Sequence, residues 1–285
     1  MSFRLSVATA LVRINRARPK SSERTPAPVS KRLVEYCEVT TEQINGCEVI
    51  TLTPRTHSTG IELVYLHGGS YIHPISSFHW NLLEAIIRRT GATITVPMYE
   101  LGPKGKPADA YALLDVVHAK VVERADGGNR VFLGGDSAGG GLALGQAIRI
   151  RDVGVPRPAG AILFSPWVEL TMTNPAIPGL EKREAMLRLG TTKAAAALWT
   201  DDPTNPTASP LNDSLAGLPP LSIYQGGNEI LLPDVDALVT KARAAGTSVH
   251  YWLAPKAFHV WVALGWTPEA KAALDDVAER LTHPD

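Results

Sequence analysis

Short apolar runs bounded by turn-forming residues recur along this chain and alternate with longer stretches of helical period. Residues 61–66, 92–97, 130–134, 160–164, 221–225 and 248–253 have the length and apolar content of buried strands. Helix-length segments lie between them, one over 235–245. Alternation of this kind predicts an α/β fold, a mostly parallel sheet with right-handed crossovers and helices on both faces. Ahead of it, 36–40 and 47–53 flank Asn45-Gly46, the turn signal of an antiparallel hairpin, which brings the sheet to eight strands.

Two stretches break the alternation. Residues 1 to about 32 are rich in Arg, Ser and Pro, and Leu5, Ala8, Thr9, Val12 and Arg16 fall along one side of an amphipathic helix. From Thr171 to about Pro210 the chain carries a helical run over 180–189 and an alanine-rich one over 192–199. Two apolar stretches of helix length need a surface to bury against. No internal repeat or low-complexity tract accompanies them.

Composition narrows the class. With 285 residues, 45% apolar and 20% charged, the chain describes a soluble globular protein with a large core, and a single α/β domain over 1–285 is expected. Lysine plus arginine equals aspartate plus glutamate at 28 each, so no overall field recruits nucleic acid or acidic lipid. Cys37 and Cys47 fall in the opening strand pair, where they could face each other, and both read as free thiols. His67, His73 and His79 recur every six residues, but without an H-E-x-x-H or a cysteine pair, so no metal site is expected. The apolar run over 5–12 contains Ser6 and Thr9 and meets Arg13, Arg16, Arg18 and Lys20 without a cleavage signal. No segment reaches the roughly 18 to 20 apolar residues of a membrane span. A cytoplasmic protein is the expectation.

The chemistry concentrates in one run, Gly134-Gly135-Asp136-Ser137-Ala138-Gly139-Gly140-Gly141. It places Ser137 in a G-x-S-x-G frame between a buried-strand pattern and a helix-like one. Small neighbours two places either side suit a sharp strand-to-helix turn that holds a hydroxyl proud of the sheet. A phosphate-binding loop would instead need a Gly-Lys-Ser/Thr ending or a dinucleotide fingerprint, and neither is present. Upstream, the strand at 61–66 ends in His67-Gly68-Gly69-Ser70-Tyr71. Glycines there let backbone N–H groups turn inward, so Gly68 and Gly69 are candidate oxyanion donors together with the Ala138 amide. Hydrolases built on this elbow supply acid and then base after the serine. Among the histidines that follow, His283 sits in the terminal tail and His250 in a strand, whereas His259 lies in a loop beyond the last strand. His259 is the candidate base. The acid is sought in the loop 226–234, where Glu229 and Asp234 are both available, Asp234 also being placed to cap a helix starting near Val235.

Together His-Gly-Gly and Gly-Asp-Ser-Ala-Gly-Gly resemble the hormone-sensitive lipase-like branch of the α/β hydrolases, from about residue 35 to the end. Ser70 stands where that family has a third glycine, and Pro97-Met98-Tyr99-Glu100-Leu101-Gly102-Pro103-Lys104 lacks the arginine and terminal acid of the corresponding family segment. The resemblance implies a catalytic triad of Ser137, Glu229 and His259, with Glu229 on the family's first acidic position and Asp234 on the second. It also implies a helical cap from about 1–32 and 171–210, with Trp80, Met186, Leu187, Leu198 and Trp199 as candidate pocket walls. The expected activity is serine carboxylesterase action on short- to medium-chain acyl esters, with no cofactor and a small-molecule ester as partner. Lactone hydrolysis by the same residues and a non-catalytic ligand-binding role are the alternatives, and a homodimer is left open.

Overall fold

The structure is a computed structural model that describes residues 2–16, 25–125 and 127–284. Its frame is one eight-stranded sheet in the order β1-β2-β4-β3-β5-β6-β7-β8. β1 (Cys37–Ile44) and β2 (Cys47–Pro54) form the antiparallel hairpin. Its turn residues Asn45 and Gly46 have φ of 51° and 77°, the positive values that a tight hairpin turn demands. β2 pairs antiparallel with β4 (Thr93–Pro97). From there β3 (Glu62–Leu66), β5 (Val131–Asp136), β6 (Gly160–Phe164), β7 (Leu221–Gly226) and β8 (Val249–Ala254) continue in parallel. Turn geometry sets the hairpin register, and this separates the cysteines. Cys37 pairs with Pro54 and Cys47 with Ile44, so the two free thiols lie at opposite ends of the hairpin and do not face each other.

Helices cover both faces. They are α1 (Phe3–Arg16), α2 (Lys31–Tyr36), α3 (Ser77–Thr90), α4 (Pro107–Arg124), α5 (Ala138–Val153), α6 (Ile177–Leu180), α7 (Leu189–Trp199), α8 (Leu232–Ala244) and α9 (Pro268–Thr282). Every residue of β3 through β7 is buried, which is why these strands read as continuous apolar runs. Successive side chains still go to opposite faces. Val64, Leu133 and Leu163 join the core under α4, α5 and α8, while Leu63, Phe132 and Ile162 join the core under α1, α3 and α9. On α1, Leu5 and Ala8 are buried against the second core, as the amphipathic pattern requires. Arg18 and Lys20 lie outside the described residues.

The helical run expected over 180–189 is not a helix. α6 stops at Leu180 and α7 starts at Leu189, with a turn-rich segment between. Carboxylates within the segment take the backbone donors that a helix would have used: Met186 N–H donates to Glu184 at 2.7 Å and Leu189 N–H to Glu181 at 3.0 Å. Among the described residues, no helix is long and apolar enough to cross a membrane.

Candidate active site

Loops after five adjacent parallel strands converge at the C-terminal edge of the sheet, where open α/β folds place their ligands. The elbow follows β5. Ser137 is held at φ 52°, ψ −119°, a strained conformation for a residue with a side chain. Its neighbours must be glycine because the backbone doubles back on itself. A Cβ on Gly135 would meet the Gly139 carbonyl at 2.4 Å, and one on Gly139 would meet the Leu66 carbonyl at 1.9 Å. The strain is held by Ser137 N–H donating to the Phe164 carbonyl and by Trp167 N–H donating to the Ser137 carbonyl.

His259 comes from the loop after β8 and is buried. Its Nε2 lies 2.8 Å from Ser137 Oγ and its Nδ1 lies 2.7 Å from Glu229 Oε2. A carboxylate can only accept, so Nδ1 carries the hydrogen and Nε2 is left to accept from the serine hydroxyl. Glu229, from the loop after β7, is fixed through its other oxygen by Ser165 Oγ and by Gly226 N–H, each at 2.7 Å. Burial works to depress the His259 imidazole, but Glu229 beside it, with Glu184 and Asp136 further off, holds it above its ordinary value.

Of the two acidic residues in the loop 226–234, only Glu229 reaches the histidine. Asp234 sits in the first turn of α8 and accepts from Asn174 Nδ2 at 2.9 Å, while burial pushes its carboxyl up to about 6. It does not cap the helix, whose N-cap is Leu231. His250 pairs with Asp276 and His283 lies exposed beside Thr282, both away from the serine.

The loop after β3 corrects one expectation. Gly68 N–H points into Asp136, donating to Oδ1 at 2.9 Å, and a Cβ there would lie 2.3 Å from Oδ2. Its amide is therefore taken, and Gly68 does not stand with Gly69 and Ala138 as a free donor. Asp136 also accepts from Tyr65 OH at 2.7 Å and pairs with His79 at 3.4 Å. Burial works to raise the Asp136 carboxyl, but His79, Tyr65 and the Gly68 amide outweigh it and hold it below its ordinary value. Beyond Gly68 the backbone takes three successive positive φ angles, 123° at Gly69, 56° at Ser70 and 63° at Tyr71. Gly69 and Ser70 line the cavity above Ser137, and no protein carbonyl accepts from the amides of Gly69, Ser70 or Ala138 among the described residues.

That cavity has a volume of about 560 Å³. Met186 and Leu187 line it, as do Thr191, Thr192 and Ala195 on α7. The other three expected wall residues lie elsewhere. Trp80 is in the core with its indole N–H on the Ala27 carbonyl, Leu198 is exposed, and Trp199 stacks on Tyr71 behind the cavity. Sequence reading also missed Ser165, whose hydroxyl donates to Glu229 and accepts from Val260 N–H at 3.0 Å, joining the acid loop to the histidine loop. A lone serine after β6 carries no local signal of that role.

Comparison with known proteins agrees with this frame. A family model of the α/β-hydrolase fold matches residues 63–263. An acetyl-hydrolase of Streptomyces hygroscopicus is 36% identical over 204 residues, 71% of this chain and 68% of that protein. An esterase of Acinetobacter venetianus is 32% identical over 237 residues, 81% of this chain and 78% of its own. A hormone-sensitive lipase from a metagenome library superposes with a TM-score of 0.88 at 26% identity, covering 99% of both chains. Fold and match together define an α/β hydrolase. Within that class the chain belongs to the hormone-sensitive lipase-like esterase family.

Proposed function

We propose that this ester hydrolase is a serine carboxylesterase acting through an acyl-enzyme on short- to medium-chain esters. The observation that carries the reading is the unbroken line from Ser137 Oγ through His259 to Glu229, at 2.8 and 2.7 Å, opening into the cavity. In this reading Ser137 attacks the ester carbonyl while His259 Nε2 takes its proton, and Glu229 stabilises the imidazolium. The amides of Ala138, Gly69 and Ser70 receive the oxyanion, two of them from a loop too strained to move without loss. His259 then protonates the departing alcohol, and a water attacks the acyl-enzyme along the same path. The insert 171–210 acts as a cap, supplying Met186, Leu187 and α7 to the cavity wall. α1 supports that insert through Arg13, which donates to the Arg183 carbonyl at 2.9 Å.

A fluorophosphonate probe combined with Ser137→Ala tests the reading. The native chain is expected to be labelled at Ser137, and the variant to escape labelling and lose at least about a thousandfold in ester turnover. Equal turnover in the two proteins would end the serine-hydrolase reading.

A further inference from the structure

A second buried carboxylate acts on the histidine and has no part in the chemistry above. Glu184 lies in the turn between α6 and α7 and is 2% exposed. One of its oxygens accepts from Met186 N–H at 2.7 Å, within the segment that walls the cavity. The other accepts from Ile230 N–H at 3.0 Å, the residue immediately after Glu229. One side chain thus ties the cavity wall to the loop that carries the acid.

The electrostatic setting is just as specific. Burial raises the Glu184 carboxyl, His259 opposes that rise and Glu229 adds to it. Two carboxylates gathered in a dry region repel each other and lose hydration, an arrangement that destabilises a fold unless a cation stands with them. The imidazolium of His259, formed when the ring takes up a proton, is one such cation, and Glu184 and Glu229 both favour it. Asp136 acts on the same ring from the elbow. On its outer side Glu184 meets a polar cleft that Arg13, Glu181, Lys182 and Arg188 also line.

We propose that Glu184 is a positioning residue for ester hydrolysis, clamping the Met186–Leu187 wall to the acid loop and adding a negative charge that favours the His259 imidazolium. The inference rests on the triad reading above. It assigns the turn between α6 and α7 two tasks, closing the cavity and setting the basicity of the general base.

The test measures kcat, KM and the pH profile of kcat/KM on p-nitrophenyl butyrate for the native protein, Glu184→Gln and Glu184→Asp. In Glu184→Gln the charge is gone and one of the two amide bonds is lost. Its kcat is expected to fall about tenfold, by loosening of aligned groups, and its acid limb to move to lower pH as the imidazolium loses a supporting anion. Glu184→Asp keeps the charge but is too short to reach both amides, so its limb should stay in place while kcat falls. A uniform loss of rate in Glu184→Gln with no movement of the limb would show a structural role only and overturn the proposal, as would native behaviour. If Glu184→Gln does not fold, Glu184→Asp decides: native kcat, or a limb that moves, overturns the proposal. Fluorophosphonate labelling of Ser137 in the native protein, run alongside, separates failure of this inference from failure of the triad reading.

Discussion

Ser137 alone is a weak nucleophile, and the hydroxyl becomes useful only when a base can take its proton as the bond to carbon forms. His259 can do so because its other nitrogen is already committed to Glu229 at 2.7 Å, which leaves Nε2 unprotonated toward the serine. Glu229→Gln would keep the shape and remove the charge. Its side-chain amide can also turn an N–H toward Nδ1 and favour the wrong tautomer, so kcat should fall by roughly 10²- to 10⁴-fold. Asp234→Asn should leave kcat within about twofold, because Asp234 bonds Asn174 and not the histidine. Steady-state kinetics on one soluble ester compares the two, and a severe Asp234→Asn with an active Glu229→Gln would reverse the assignment. The pH sign follows from the same pair. A base must be neutral to accept a proton, and His259 is held above its ordinary value, burial opposing and Glu229 prevailing. Activity should therefore be lost as pH falls through a limb lying above the usual histidine range, and Glu229→Gln should move that limb downward.

At the scale of elements, the question is how two strand ends are kept in step. β3 and β5 are neighbours, pairing Leu66 with Gly135, so the loop after β3 and the elbow after β5 start side by side. Asp136 joins them through Gly68 N–H, Tyr65 OH and His79. This buried carboxylate accepts from every partner, which no neutral isostere can do. Asp136→Asn would turn an amide N–H₂ against at least one donor and leave a buried polar group unmet, at about 1–3 kcal/mol. Thermal melts should show that loss, and kcat should fall with it because Gly69 and Ser70 follow directly on Gly68. A variant with native stability and native kcat would mean the loop holds its shape without Asp136.

At the scale of the whole molecule, the sheet brings the site together and the insert after β6 lines part of the cavity above it. The cavity of about 560 Å³ falls within the range of small-ligand sites, and the 186–195 segment covers one side of it. Each added acyl methylene gains about 0.8 kcal/mol while it finds apolar wall to bury against. Once the wall ends, further methylenes must bend or stay in water. Over p-nitrophenyl esters from acetate to palmitate, kcat/KM should peak at about C4 to C8 and then decline as burial gains stop. Rates on C12 or C16 esters equal to those on C4, or rates that jump above the solubility limit, would point to an open, lipase-like face.

The chain by itself determined whatever depends on neighbours in sequence. Strand positions follow from apolar runs bounded by turns, and the hairpin follows from Asn45-Gly46. The elbow follows from glycines that close backbone approach requires at 135 and 139. His259 and Glu229 were legible because their loops follow recognisable strands in the order this fold uses. Tertiary structure decided everything that depends on what the parallel sheet brings alongside. Gly68 and Gly69 look equivalent in the sequence, yet only Asp136, folded against the first, reveals that its amide is taken. Residues 181–188 have helical character, but Glu181 and Glu184 capture backbone donors and hold the segment in turns. Trp80, Leu198 and Trp199 were as plausible for the wall as Met186 and Leu187, since apolar character alone does not say which cavity a side chain faces. Ser165 and Glu184 carry no local signal of these roles, because Glu229 and Val260 for the first, and Ile230 for the second, lie on loops some tens of residues away in the chain. Local sterics and periodicity are written in the order of residues, whereas the partners of a buried polar group exist only once distant strand ends meet.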